Sequence, residues 1–526
     1  MKMDVFMLEK KKMVLSLIKK NKDVILSCIL FGLISHGFGL VNFYAIHDQA
    51  HSFFDGGNVG STFASGRWGL GVLSIFIDRL FGNHHYSFPL LNSVLSLFFI
   101  TITVVLLVAL FKIVSPLYRV ILSAIMVSTP VVTGTFGYMF TAPYYMFSLM
   151  LSVFGAYFIS RYSKKSFIIL GILLLSFATG IYQAYIPVAI TIFFLFFLFS
   201  VLINDSSDIK KQIRLLVKLL VSFISFLVIY LLINSLIIFL GHIKLTDYQG
   251  ISSMTDLSFG IIINRLINAY KLFFFPPIYN PKNVFPINSR FAYYLFLIIN
   301  GIIFCYLLYL QIKNRRITSF VLSLFIICLL PLCYNFIYIM TDSDLVHNLM
   351  LYSNVLIVLF PLAFLSKFTD ISSKTFFTRI VSTTMAFVAM YCVCTFVFYD
   401  NSFYMKADLL QRRLTSYYTS LVTQIKSTEG YKESMPVVFI DFENFKDSSV
   451  QDIEKMDINI FPYYGQDTQS IINNYAWKEQ IQLFTGFSPE YVDSSFYTQN
   501  NQVLSMPSYP DYGSIKVINE HVVVKF

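Results

Sequence analysis

Eleven apolar runs, each close to the length of a membrane crossing, follow one another through the first 400 residues of this chain. They lie near 23–44, 88–111, 118–133, 143–160, 166–181, 183–203, 215–240, 291–311, 317–340, 348–366 and 380–399. A helix needs about 20 mostly apolar residues to span the hydrocarbon core of a bilayer. Within lipid the backbone polar groups have no water to bond, so runs of this length form helices. Composition excludes one large soluble core. Only 13% of the residues are charged, against roughly 25% in soluble domains, and phenylalanine alone occurs 56 times. The expected class is an α-helical polytopic membrane protein with about eleven transmembrane helices.

The net charge of +10 is distributed as a topology signal rather than as a nucleic-acid-binding surface. Residues 400–526 hold 10 Lys and Arg against 16 Asp and Glu, leaving 29 basic and 13 acidic residues for the rest. Cytoplasmic loops of membrane proteins carry an excess of Lys and Arg. Seven lysines, Lys2 to Lys22, crowd the N-terminal segment, and alternate loops carry clusters such as Arg161, Lys164 and Lys165. These segments together hold 22 of the 39 basic residues. The N-terminus is therefore expected in the cytoplasm, and an odd number of crossings places residues 400–526 outside. The first run is too long for a signal peptide, and "SHGFGLVNF" lacks a small-residue cleavage pattern. It reads as an uncleaved first helix.

Three regions follow: a basic cytoplasmic N-terminus at 1–22, a transmembrane bundle at 23–399, and an extracytoplasmic C-terminal α/β domain at 400–526. The bundle carries long outer loops at 45–87 and 241–290. In the C-terminal part "MPVVFIDF" (Met435–Phe442) reads as a buried strand and "SIKVINEHVVVKF" as further strand. The stretch between them reads as loop, then helix. All six cysteines lie inside apolar runs, so the C-terminal part has no disulfide framework. No Cys/His spacing resembles a zinc site.

The first outer loop opens with "YAIHDQAHSFFDGGNVGSTFASGRWG" (Tyr44–Gly69). Asp48 lies just beyond the first apolar run, where a partly shielded carboxylate suits general-base work. Asp55 follows seven residues later, about two helical turns, and is a possible second acid. Both residues equally suit a solvated polar loop. Arg67 has the planar fork that grips phosphate, with Trp68 beside it to anchor at headgroup level; the arginine equally suits snorkelling to lipid headgroups. His47, His51, His84 and His85 read as interfacial polar residues. Tyr182 and Gln183 close the fifth run and suit either contact with a sugar or phosphate or hydrogen bonds between packed helices. In the second outer loop Arg265, Asn268 and Lys271 recur at helical spacing beside an apolar side. Arg265 and Lys271 there suit a lipid phosphate or anionic headgroups. "DSD" (Asp342–Asp344) is a further carboxylate candidate. Tyr463, Tyr464, Tyr475, Trp477 and Tyr491 suit either sugar stacking or a small domain's core.

Three stretches carry a resemblance. "HDQAHSF…SGRWGLGVLS" resembles the start of the Gtr-type (type II) membrane glucosyltransferase family, whose members glucosylate O-antigen and related surface glycans. "FGYMFTAPYYMFSLMLSVFGAYF" (Phe136–Phe158) and "SFATGIYQAYIPVAI" (Ser176–Ile190) are similar to two further family segments, in the same order. The family itself resembles the GT-C superfamily, which implies a GT-C-like bundle with the catalytic acid in the first outer loop. Asp48 occupies that place. Family members often show two adjacent acids here, whereas this chain has Asp48 followed by Gln49.

The resemblance implies a polyprenyl-phosphate sugar as donor, most naturally undecaprenyl-phosphate glucose, and a surface polysaccharide as acceptor. It implies an inverting glycosyltransferase of the bacterial cytoplasmic membrane, with Asp48 as base and Arg67 at the donor phosphate; Trp68, Tyr182, Gln183, Arg265 and Lys271 join as donor-binding candidates from the reading of the residues themselves. The enzyme would depend on a donor-lipid synthase and flippase, with no nucleic-acid partner. A divalent metal is compatible with the scheme but not implied by it. The rival readings are a lipid-linked oligosaccharide flippase, which needs charged residues lining a path through its spans, and a polysaccharide polymerase.

Overall fold

The computed structural model describes residues 16–45, 48–55, 59–82, 87–203, 208–244, 258–279, 284–369, 376–442 and 476–526. Nine helices among them are long and apolar enough to cross a membrane, and Lys165–Ile181 and Tyr352–Lys367 are shorter apolar helices. Together they stand where the sequence carries its apolar runs. The chain divides into two compact units, one of Met1–Val41 with Gly57–Asn401, the other of Asn42–Gly56 with Ser402–Phe526. The segment 45–87 is thus shared: its opening part, with Asp48, groups with the C-terminal residues.

The first unit is a helical bundle. Its helices include α1 (Lys22–Val41), α3 (Trp68–Phe81), α4 (Pro89–Leu110), α5 (Pro116–Ser128), α6 (Pro130–Phe136), α7 (Ala142–Arg161), α8 (Lys165–Ile181), α9 (Ile186–Leu198), α10 (Ile209–Gly241), α11 (Phe259–Phe274), α12 (Arg290–Lys313), α13 (Ile317–Tyr334) and α14 (Tyr352–Lys367). A helix that is apolar all round belongs in an interior, and α9, "IPVAITIFFLFFL", is buried at every position. Around it, α7 packs on both α4 and α8, and α8 also packs on α10. By contrast α10 exposes Val221, Ile224, Val228, Leu231, Leu232, Leu236 and Phe239. Such a stripe of exposed apolar side chains on a helix of membrane-spanning length fits a lipid-facing surface.

The last apolar run does not end where hydropathy falls. It continues as one helix, α15 (Phe376–Ser427), whose 52 residues contain no glycine or proline. Its polar half is amphipathic: Phe403, Ala407, Leu410, Leu414, Tyr418, Leu421 and Ile425 recur at three- and four-residue spacing and are all buried. Arg412 pairs with Asp408 one turn away at 2.8 Å.

The second unit contains α2 (Asp48–Asp55), the C-terminal half of α15, α16 (Trp477–Thr485) and a three-stranded sheet. β1 (Val437–Ile440) runs parallel to β3 (His521–Lys525), and β2 (Ile515–Ile518) pairs antiparallel with β3. Asn519 and Glu520 join β2 to β3 with φ of 51° and 61°, the paired positive values of a tight hairpin turn. Val438, Ile440, Ile518 and Val523 form a core with Tyr497, Val503 and Met506. Phe439, on the alternate side of β1, packs within 6 Å of Trp477, Tyr491 and Phe526.

Candidate functional site

The best-defined polar cluster of the first unit is built on a turn. The short helix Val59–Ala64 ends in a Schellman arrangement: Arg67 N–H donates to Thr62 O at 3.0 Å, and Gly66 N–H to Phe63 O at 3.0 Å. Gly66 has φ +71°, and a Cβ there would lie 3.0 Å from the Tyr230 hydroxyl and 3.1 Å from Gln183 Nε2. Only glycine meets both demands. The turn hands Arg67 to the start of α3.

Arg67 Nη1 donates to the Tyr145 hydroxyl at 3.0 Å. Its guanidinium carbon also lies 5.4 Å from the centre of the Tyr182 ring, within cation–π range. The rings of Tyr145 and Tyr182 stack at 4.0 Å and 11°. Tyr182 occupies this position because α8 stops at Ile181 and the next residue turns extended, before Pro187 opens α9. Gln183 then donates to Ser65 O at 3.1 Å and to the Tyr230 hydroxyl at 3.2 Å. Tyr230 closes the ring by donating to Gly66 O at 3.1 Å.

Trp68 is buried in this cluster rather than placed as a surface anchor. Its indole lies against Gly180, where a Cβ would come 2.5 Å from Trp68 Cε2, and 5.8 Å from the Phe177 ring. A Cβ on Gly69 would in turn meet Gly180 backbone at 2.8 Å. The two glycines allow α3 and α8 to touch, as small residues do between membrane helices. Gly180→Val is expected to destabilise the bundle by about 1–3 kcal/mol through overpacking. Gly37→Ala, on α1 with nothing within 4 Å of the added methyl, is expected to be neutral or stabilising. Thermal unfolding in detergent, followed by size exclusion, checks the contrast.

Buried polar atoms near this cluster that have no hydrogen-bond partner among the described residues include Trp68 Nε1, Tyr185 Oη and Asn234 Oδ1. Leaving each unsatisfied costs about 1–3 kcal/mol. Tyr185 packs edge-on to Tyr182 at 5.2 Å, and Asn234 lies one turn beyond Tyr230 on α10.

Arg265 belongs to a different cluster. It is buried on α11 and pairs with Asp342, Nη2 to Oδ1 at 3.1 Å and Nε to Oδ1 at 3.3 Å. The amphipathic helix forms as expected, and its arginine is buried against a carboxylate. Lys271 on the same helix is exposed. Asp344 is also exposed.

Asp48 and Asp55 are the first and last residues of α2 in the second unit. Asp48 is half-buried, and the Asp55 side chain lies outside the described residues. Gln49 is buried and donates through Nε2 to Tyr44 O, a bond that a carboxylate in its place is unable to make. His51 Nδ1 lies 3.2 Å from Glu479 Oε1. His47, His84, His85, Tyr463, Tyr464 and Tyr475 lie outside the described residues. Trp477 and Tyr491 pack against each other at 5.0 Å, with Lys478 Nζ above both rings. No group of three or more His, Cys, Asp or Glu residues suited to a metal ion occurs among the described residues.

Sequence reasoning missed Tyr145 and Tyr230. The first lies inside the quoted "FTAPYYMF" stretch, and the second is a tyrosine inside an apolar run, where a buried hydroxyl calls for a fixed partner. No curated protein and no solved structure matches the chain. A family model described as glucosyl transferase GtrII matches residues 37–360, more than half of the chain, from the end of α1 into α14. The matched region includes the turn at Gly66, both stacked tyrosines, Gln183 and Tyr230, and the chain belongs to the GtrII glucosyl transferase family.

Proposed function

We propose that this protein transfers glucose from a polyprenyl-phosphate carrier to a surface polysaccharide on the outer face of the bacterial cytoplasmic membrane. The observation that carries the reading is the Arg67 cluster, within the family-matched region. A guanidinium held by a tyrosine hydroxyl and a ring face is pre-organised for phosphate, since its fork and fixed charge cost little further ordering. Trp68 N–H, Tyr185 O–H and the Asn234 carbonyl supply the mixed donors and acceptors that sugar hydroxyls require.

Asp48 is assigned the general base. It removes the proton from an acceptor hydroxyl as that oxygen bonds to the anomeric carbon. The bond from that carbon to the phosphate oxygen breaks, and polyprenyl phosphate leaves with the electron pair. Arg67 stabilises the growing negative charge. A single displacement inverts the anomeric configuration. The lysine-rich N-terminus lies in the cytoplasm in this scheme, the C-terminal residues outside, and a donor-lipid synthase and flippase supply the substrate. The ion pair of Arg265 with Asp342 leaves phosphate recognition to Arg67, with Lys271 exposed to meet the lipid.

The chain has two tryptophans, so Trp477→Phe leaves Trp68 as the sole indole reporter. Titration of a short-chain polyprenyl phosphate is expected to change Trp68 emission, and Arg67→Ala to abolish the change at the same lipid concentrations. An undiminished change in Arg67→Ala would remove the phosphate assignment.

A further inference from the structure

The peptide that leads into α2 is held by side chains more than 360 residues away in sequence. Gln411, on the C-terminal half of α15, makes a two-point contact. Its Oε1 accepts from Ala45 N–H at 2.8 Å, and its Nε2 donates to Phe43 O at 2.8 Å. This is the pairing that a neighbouring strand would offer, supplied by one carboxamide. Gln480, buried on α16, donates to Ala45 O at 3.1 Å and accepts from the Tyr418 hydroxyl at 3.2 Å. Both polar groups of the Ala45 peptide position are therefore occupied, from two separate elements.

Packing fixes the same segment from its other sides. The Tyr44 ring stacks on Tyr404 at 6.3 Å and 17°. Ala45 and Ala50 are buried with Ala476, against Phe43, Leu483 and Phe484. Glu479, beside Gln480 on α16, meets His51 one turn along α2. The alanines matter because a larger side chain would separate α2 from α16.

We infer that Gln411 and Gln480 are positioning residues for Asp48, and that the C-terminal residues serve the reaction by fixing the base-bearing helix. The inference rests on the assignment of Asp48 as base. Neither glutamine touches the reacting atoms; each acts through the backbone that leads into α2. A base displaced by about 1 Å loses on the order of 10²-fold in rate, so the contacts have kinetic consequences beyond folding.

The test uses the full-length protein in nanodiscs, with radiolabelled polyprenyl-phosphate glucose as donor and surface polysaccharide from the producing cell as acceptor. Gln411→Leu and Gln480→Leu are made singly, on separate elements, and each is combined with Asp48→Asn. The expected result has three parts. Hydrogen exchange rises in peptides covering 42–55 while the β1–β3 sheet stays protected. The kcat falls about 10- to 100-fold with donor KM unchanged within about twofold, the signature of a lost transition-state contribution. In the Asp48→Asn background the glutamine substitutions produce no further loss. Raised exchange with wild-type kcat, or an equal further loss in the Asp48→Asn background, would overturn the positioning role while leaving the base intact. Wild-type transfer by Asp48→Asn alone would remove the base assignment itself.

Discussion

Replacing Asp48 with asparagine is expected to lower glucose transfer by about 10²–10⁴-fold, the range that a positioned general base contributes. Asparagine preserves size and the half-buried place of residue 48 at the start of α2. The fold should therefore survive, and the loss should appear in kcat with donor binding retained. The companion residue gives an internal control. Gln49, buried on α2, donates to the Tyr44 carbonyl in the segment that precedes the helix, so Gln49→Glu removes a buried donor and should lower thermal stability without supplying a second base. Transfer rates and melting temperatures of the two variants, compared in one preparation, separate chemistry from folding.

The second large effect is expected at Arg67. Arg67→Ala should reduce kcat/KM by about 10²–10³-fold, the usual cost of removing a group that stabilises developing negative charge. Arg67→Lys is the more informative change. Lysine keeps the charge but loses the planar fork that contacts the Tyr145 hydroxyl and lies over the Tyr182 ring. It should recover only part of the loss, and its donor KM should rise. A lysine variant equal to wild type would show that charge alone suffices and that the stacked tyrosines are packing. Initial rates over a range of donor concentrations decide between the two.

The helical positions were legible because apolar runs of membrane length have few alternative structures. Where hydropathy is the only guide, an element is read as ending where its apolar residues end. The residues after 400 keep their helix through the buried stripe from Phe403 to Ile425, a pattern hidden by the acidic and polar residues between. The turn at Gly66 was legible in part, since Gly66, Arg67 and Trp68 stand together in the sequence. Burial of Trp68 was not, because its partner, Gly180, is more than a hundred residues away. The same holds for the hydrogen bonds of Gln411 and Gln480 to the Phe43–Ala45 backbone. A glutamine that bonds a distant backbone has no local signature, and neither its spacing nor its neighbours mark it. The partner of Arg265 is hidden in the same way: its helical periodicity is real, but Asp342 stands 77 residues further along the chain.

Purified protein in nanodiscs, given radiolabelled polyprenyl-phosphate glucose and surface polysaccharide, tests transfer from a lipid-linked donor directly. Label entering the polysaccharide with equimolar release of polyprenyl phosphate, and loss of both in Asp48→Asn, is the expected result. Labelled lipid that crosses liposome leaflets, with no label reaching any polysaccharide, would contradict it and mark the protein as a carrier of lipid-linked sugar.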